Sequence, residues 1–138
     1  MEYKLDGIVL RCRNVAELSK FYDNVMKLKR FLPPPTEPVG SIARYEVTGG
    51  TVFELLGNGP ELSAPKDRTQ VPITPMFQVD DLGRAVEELT EAGVHWVSER
   101  QQIQGAPAEL ATFADPEGHH ICVFEMTAED TSRPAPAD

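Results

Sequence analysis

Glu54 and His120 are the side chains of this 138-residue chain that are best suited to proton transfer. A carboxylate and an imidazole serve as base and acid when both reach one substrate atom and their pKa values lie near the working pH. His119 precedes His120 on a predicted strand, so the two imidazoles point to opposite faces. For His119 and His95 we expect a surface position or a structural hydrogen bond. The sequence contains no Ser/His/Asp order and no nucleotide-binding glycine pattern.

The two cysteines, Cys12 and Cys122, form no CxxC motif and no Cys/His cluster of the kind that holds structural zinc. Residues 1–6 are polar and carry no signal-peptide core, so we expect a cytoplasmic protein with reduced thiols. No apolar run approaches the ~20 residues that a membrane span needs, and we expect no membrane partner.

The net charge of the chain disfavours two classes of binding partner. The net charge is -9 and the isoelectric point is about 4.8. Nucleic acids and anionic membranes favour basic surfaces, so neither is expected to bind. An acidic surface is compatible with a cationic ligand, although most acidic domains are simply soluble.

The hydrophobic pattern divides the chain into elements that occur twice in the same order. In the first half an alternating strand is followed by Asn14, a helix N-cap, and then by apolar residues at helical spacing. In the second half Asp81 takes the capping position and Gly93 ends the helix. The segment Asp115-Pro-Glu-Gly118 predicts a turn before the last strand. The predicted strands are residues 5–13, 41–47, 51–56, 74–80, 94–98, 110–114 and 119–126.

These elements form an internal repeat. Residues 7–14 align with residues 74–81, and Gly50 aligns with Gly118. Coincident helix caps and hairpin glycines favour a true repeat over a chance likeness between two βαβββ stretches. The expected organisation is a first βαβββ module at 1–57, a linker at 58–72, a second βαβββ module at 73–126 and a disordered tail at 127–138.

Several short motifs carry a family resemblance. They are Val79-Asp-Asp-Leu82, Ala92-Gly-Val94 and Ala111-Thr-Phe-Ala-Asp-Pro-Glu-Gly118, with first-half counterparts at residues 9–15 and at Phe21-Tyr22. In order and spacing the chain resembles the vicinal oxygen chelate superfamily, which includes glyoxalase I, extradiol dioxygenases and bleomycin-resistance proteins. The resemblance runs from Leu5 to about Met126. It implies an α+β fold in which the two modules form paired half-barrels around a cleft, and it fixes no single activity.

The resemblance also implies four positions at which the metal enzymes of the superfamily carry His, Gln or Glu ligands. In this chain they correspond to Gly7, Glu54, Thr74 and Cys122. Glu54 is the only usual ligand among them, and a Glu/Cys pair falls short of the three protein ligands of a catalytic zinc. We therefore expect no metal and no cofactor. The glycine at position 7 is expected to leave room for a bulky ligand.

Strand alternation indicates which side chains share a face with those four positions. The expected ligand-binding set is Val9, Arg11, Val52, Glu54, Leu56, Thr74, Met76, Gln78, His120, Cys122 and Phe124. The alternate residues are uniformly apolar and should pack under the helices. An apolar wall with a few polar groups is typical of a ligand pocket.

Each polar member of this set has a structural alternative. Arg11 and Glu54 could form an ion pair, Gln78 could bond the backbone, and Cys122 could be a small buried apolar residue. Three further strand residues have a facing that the sequence leaves open: Arg44, Tyr45 and Trp96.

These observations favour a homodimeric protein that binds a small organic molecule, such as an antibiotic or natural product, without a catalytic metal. One alternative is a metal-free isomerase, cyclase or lyase that uses Glu54 and His120. A metal-dependent glyoxalase or dioxygenase is less favoured, and a role through protein contacts alone is also open.

Overall fold

The computed structural model describes residues 1–31, 42–57 and 73–128. The expected linker at 58–72 and most of the expected tail lie outside these residues. The described elements, in chain order, are β1 (Gly7–Cys12), α1 (Val15–Asn24), β2 (Lys29–Arg30), β3 (Ile42–Glu46), β4 (Val52–Gly57), β5 (Met76–Gln78), α2 (Leu82–Glu91), β6 (His95–Gln102), β7 (Ala108–Ala114) and β8 (His120–Met126). Neither described helix is long and apolar enough to cross a membrane.

The chain forms two units. Among the described residues, the part up to residue 57 and residues 115–119 form the first unit, while 73–114 and 120–128 form the second. Within the described ranges each unit contains one helix and one four-stranded mixed sheet, which confirms the predicted α+β fold of two βαβββ modules.

In the first unit the strand order is β1-β4-β3-β2, with β1 parallel to β4 and the other pairs antiparallel. The helix α1 begins where predicted, because the Asn14 side chain accepts a hydrogen bond from the backbone N of Glu17 at 3.0 Å. The sheet face toward α1 forms the core, and its buried members are Leu10, Cys12, Ala43, Tyr45, Phe53 and Leu55. Tyr22 of α1 packs edge-on against Phe53 with ring centroids 5.0 Å apart.

In the second unit the strand order is β5-β8-β7-β6, again with one parallel and two antiparallel pairs. Asp81 caps α2 by accepting a hydrogen bond from Arg84 N at 3.0 Å, as predicted. Alternate residues of β7 and β8 are buried toward this helix: Ala111, Phe113, Ile121 and Val123. Trp96 packs on Phe113 and donates to Thr90 of α2, so its ring faces the helix.

Four strands differ clearly from the sequence expectation, and β2 is not among the predicted strands at all. β5 begins only at Met76, because Pro75 has no N–H with which to continue the ladder. Two strands are longer than predicted: β6 extends to Gln102, and β7 begins already at Ala108. Register shifts between Trp96 and Gln101 disturb the alternation of β6, which explains why its sequence pattern ends early.

Candidate functional site

Within residues 1–31, 42–57 and 73–128, each sheet packs one face against its helix and carries no helix on the other, which we call the helix-free face. On the first sheet, parallel register pairs Val9 with Glu54 and Arg11 with Leu56. Registered residues share a face, and their neighbours Leu10, Phe53 and Leu55 point to the core. The structure therefore brings together the five predicted ligand-binding residues of this unit on its helix-free face: Val9, Arg11, Val52, Glu54 and Leu56.

One line of side chains crosses this face from edge to edge. Val9 lies opposite Glu54, and Glu54 lies opposite Arg44 on β3. The backbone N of Phe31, one residue beyond β2, donates to the carbonyl of Arg44 at 3.1 Å and continues the register. We call Val9, Glu54, Arg44 and Phe31 the central row. Its two ends are apolar and open to solvent, with Val9 48% and Phe31 47% exposed.

The middle of the central row is an ion pair. Arg44 Nε donates to Glu54 Oε1 at 2.5 Å, and the Glu54 side chain is only 13% exposed. The sequence left open an ion pair between Glu54 and Arg11. In the structure Arg11 lies opposite Leu56, and Val9 lies opposite Glu54. A half-buried carboxylate needs a partner, and Arg44 supplies it from the neighbouring strand. Tyr45 points the other way, into the core, so it is no part of this face.

Gly7 is required by close packing rather than by an open space. A Cβ atom built on Gly7 would lie 2.5 Å from the carbonyl oxygen of Val52, which is closer than real Cβ atoms come. The expectation that this glycine leaves room for a bulky ligand is therefore wrong. Its role is to let β1 approach β4.

On the second sheet, Met76 is registered with Cys122 and Gln78 with Phe124. Together with His120 they form the helix-free face of this unit, as alternation predicts. Thr74 lies before β5 and outside the ladder. Exposure varies strongly along this face, since Met76 is 54% exposed and Cys122 only 2%.

The burial of Cys122 determines its chemistry. Burial raises the pKa of the Cys122 thiol, and a hydrogen bond with Thr112 opposes the increase only in part. A buried thiol with a raised pKa is a poor nucleophile and a poor metal ligand. The alternative of a small buried apolar residue therefore describes Cys122 well.

The residues at the four positions implied for a metal are unsuited to coordinating one. Gly7 has no space for a side chain, and Glu54 is held by a guanidinium. Among the described residues, no group of three or more His, Cys, Asp or Glu side chains could hold a metal ion.

A second polar cluster lies inside the first unit, and sequence reasoning missed it. The Asp115 carboxylate is fully buried and accepts a hydrogen bond from the Tyr22 hydroxyl at 2.6 Å. Its other oxygen accepts from the backbone N of Glu117 and of His119, each at 2.9 Å. The predicted turn is present, with Gly118 N bonded to the Asp115 carbonyl at 2.9 Å. The sequence signal that could have indicated this cluster is the spacing of Asp115 four residues before His119 in that turn.

His119 completes this cluster. Its Nδ1 lies 2.8 Å from Asp115 Oδ2, and its Nε2 lies 2.9 Å from the carbonyl oxygen of Arg11. Both partners are acceptors, so both ring nitrogens are satisfied only when His119 is protonated. Burial alone would lower the pKa of His119, but the bond to Asp115, its charge and the Arg11 carbonyl together raise the pKa. His119 thus has the structural hydrogen bonds expected of it.

The same cluster affects two neighbouring groups. Burial raises the pKa of the Cys12 thiol to about 12, with the charges of Glu117 and Asp115 adding to the effect. Burial, followed by the charge and hydrogen bond of Asp115, raises the pKa of the Tyr22 hydroxyl well above its ordinary value. Neither group is prepared for catalysis, and the cluster is a structural one.

Comparison with known proteins defines the class. The glyoxalase-like domain family matches residues 7–124 of the chain. The match covers most of the sequence, so the chain belongs to this family, and it is a member of the vicinal oxygen chelate superfamily. The predicted resemblance is confirmed. A search among curated proteins finds no match.

Solved structures agree on the fold. An antibiotic-binding protein, TnmS3 from a Streptomyces species, is 16% identical with a TM-score of 0.69, over 91% of this chain and 97% of that chain. A glyoxalase/dioxygenase from Nostoc punctiforme is 22% identical with a TM-score of 0.69, over 89% of this chain and 90% of that chain. The fosfomycin resistance protein FosX from Listeria monocytogenes is 12% identical with a TM-score of 0.69, over 91% of this chain and 94% of that chain. At these identities the likeness concerns the fold alone.

Proposed function

We propose that this protein binds a small, largely apolar organic molecule, of the antibiotic or natural-product kind, on the helix-free face of its first sheet. The observation that carries the proposal is the central row, in which exposed Val9 and Phe31 flank the Arg44–Glu54 ion pair. Single exposed apolar side chains are ordinary on protein surfaces. Two of them aligned with a fixed polar pair provide the apolar contacts and orienting groups that ligand sites combine.

The relatives are consistent with this proposal. One structural neighbour is an antibiotic-binding protein and another is a fosfomycin resistance protein. For this chain we propose binding without a catalytic metal, because Glu54 already pairs with Arg44 and Gly7 cannot carry a ligand side chain. A cationic guanidinium beside Glu54 also opposes the approach of a divalent cation.

The Arg44–Glu54 pair favours binding over metal-free acid–base catalysis. A general base must offer a lone pair to the substrate proton, and Arg44 occupies Oε1 of Glu54, so only Oε2 is left for that role. His120, the other candidate, is only 9% exposed.

A neutral dye tests the proposed site. N-phenyl-1-naphthylamine, an apolar fluorophore, should bind the wild-type chain with an increase in fluorescence. Val9→Asp should weaken this binding about ten-fold or more, because it replaces apolar contact area with a charge opposite Glu54. Tyr3→Asp, at a side chain that is 91% exposed outside any strand or helix, is the control and should change nothing. Equal affinities for wild type and Val9→Asp would show that the central row is not the site.

We also propose a cytoplasmic homodimer. Among the described strands, β1 and β2 lie at the edges of one sheet and β5 and β6 at the edges of the other, and a sheet edge favours association with a second strand. Light scattering at micromolar concentration should give twice the 15.3 kDa chain mass. A monomer that persists at high concentration would refute the dimer.

A further inference from the structure

The helix-free face of the first sheet is richer in positive charge than the chain as a whole. Its described charged side chains, read from β1 to β2, are Arg11, Glu54, Arg44, Glu46 and Lys29. Both acids on this face are already paired, Glu54 with Arg44 at 2.5 Å and Glu46 with Lys29 at 3.4 Å. A chain with a net charge of -9 thus presents an excess of positive charge here.

Arg44 has hydrogen-bond donors to spare. The pair with Glu54 uses Nε, so the contact leaves the two terminal nitrogens of the guanidinium available. The Arg44 side chain is 44% exposed, and its ion pair with Glu54 restrains the guanidinium. An arginine that is fixed through Nε presents a planar pair of N–H groups, which matches the two oxygens of an oxyanion.

Arg11 adds a second cation to the same face. Its side chain is exposed, and within residues 1–31, 42–57 and 73–128 it forms no ion pair with a carboxylate. It lies two residues along β1 from Val9, next to the end of the central row. An anion near Arg44 would therefore meet a second positive charge on this sheet.

We infer that the ligand is an amphipathic anion whose carboxylate, sulfonate or similar oxyanion binds the terminal nitrogens of Arg44 while its apolar body packs on Val9 and Phe31. This inference rests on the proposed function and adds the ligand's charge to it. An acidic chain with a partly buried Glu54 would by itself favour a cationic ligand. Because Arg44 already pairs with Glu54, we infer an anionic ligand instead.

Two dyes with one aromatic body test the inference. 1-Anilinonaphthalene-8-sulfonate carries a sulfonate, and N-phenyl-1-naphthylamine is the same body without it. The wild-type chain should bind the sulfonate dye at least several-fold more tightly than the neutral dye. Arg44→Gln should weaken binding of the sulfonate about ten-fold or more, and should weaken binding of the neutral dye much less. Circular dichroism and thermal unfolding establish that each variant is folded.

A matched control is available in the second unit. Arg100 also pairs through Nε with a glutamate, Glu109, at 2.7 Å and is 47% exposed. Arg100→Gln should leave both affinities at the wild-type level. If Arg44→Gln fails to fold, Arg44→Lys keeps a cation for Glu54 but loses the planar fork, and it should still weaken the sulfonate several-fold.

The outcomes separate the two claims. If both dyes bind equally and Arg44→Gln changes neither affinity, the anion inference is overturned while the proposed binding function stands. If Arg44→Gln weakens both dyes alike, Arg44 supports the site without recognising charge, and the inference is again overturned. If neither dye binds the wild-type chain, the proposed function fails and the inference fails with it.

Discussion

His119 and Asp115 form a buried ion pair in which Nδ1 lies 2.8 Å from Oδ2, and the other ring nitrogen faces a backbone carbonyl. The pair belongs to the turn between β7 and β8, and that turn is part of the first unit. The Tyr22 hydroxyl binds the same aspartate oxygen. Because both ring nitrogens of His119 face acceptors, we expect the stability of the first unit to depend on protonation of His119.

The first prediction is a pH dependence. The pKa of His119 is raised above its ordinary value of 6.5, so the folded chain holds this proton more tightly than the unfolded chain. The resulting stabilisation is fully present below about pH 6.5 and is lost as the pH rises through the higher folded-state pKa. The raised pKa values of Tyr22 and Cys12 keep both groups neutral in this range.

Urea unfolding of the wild type and of His119→Gln, from about pH 6 to about pH 9, measures the effect. The difference in the free energy of unfolding should be largest at the acid end and should shrink as the pH rises. A difference that stays constant over this range would show that His119 is neutral in the folded protein.

The second prediction concerns the Tyr22 hydroxyl. Tyr22→Phe removes a 2.6 Å hydrogen bond to a buried carboxylate and should lower the free energy of unfolding by about 1.5–3 kcal/mol. Tyr3→Phe removes a hydroxyl from a side chain that is 91% exposed and should change stability by less than about 0.5 kcal/mol. Equal effects of the two changes in urea unfolding would contradict the buried cluster.

The main lines of the fold were predictable from sequence because local signals agree with each other. Asn14 and Asp81 each cap a helix at matching positions of the repeat, and the structure confirms both caps. The two-residue period of β1 and β4 separates a helix-facing side from a helix-free side, which gives the facing of Val9 and Glu54. Burial does not alternate along β8, where residues 120–123 are all buried.

The partners across strands were not predictable in the same way. Alternation gives the facing of Glu54 but not the register of β3, and that register determines whether Arg44 or Arg11 meets the carboxylate. The role of Asp115 was hidden for a related reason. Turns commonly contain aspartate for local bonds, and the contact with Tyr22 joins residues 93 positions apart.

The third prediction concerns Gly7. Gly7→Ala would place a Cβ atom 2.5 Å from the Val52 carbonyl oxygen, so backbone must shift at a cost of about 1–3 kcal/mol. Gly83→Ala is the matched control, since its Cβ would meet the flexible end of Arg100 at 3.2 Å and lies in a helix that favours alanine. Thermal unfolding should show a lower midpoint for Gly7→Ala and an equal or higher midpoint for Gly83→Ala. Equal midpoints for the two variants would contradict the close approach of β1 and β4.

The fourth prediction concerns metal content. Glu54 is paired with Arg44 and Gly7 has no ligand side chain, so tag-free protein should contain well under one transition metal ion per chain by elemental analysis. Full occupancy that survives mild chelation would contradict the proposal of metal-free binding.

The central claim is that a small organic molecule binds on the central row, and a crystal structure of the complex with 1-anilinonaphthalene-8-sulfonate tests it most directly. The account predicts that the aromatic body lies within about 4 Å of Val9 and Phe31. It also predicts a sulfonate oxygen at about 3 Å from a terminal nitrogen of Arg44, with Glu54 still bound to Nε. Dye bound only against the helices, or at a site that contacts no residue of the central row, would contradict the account.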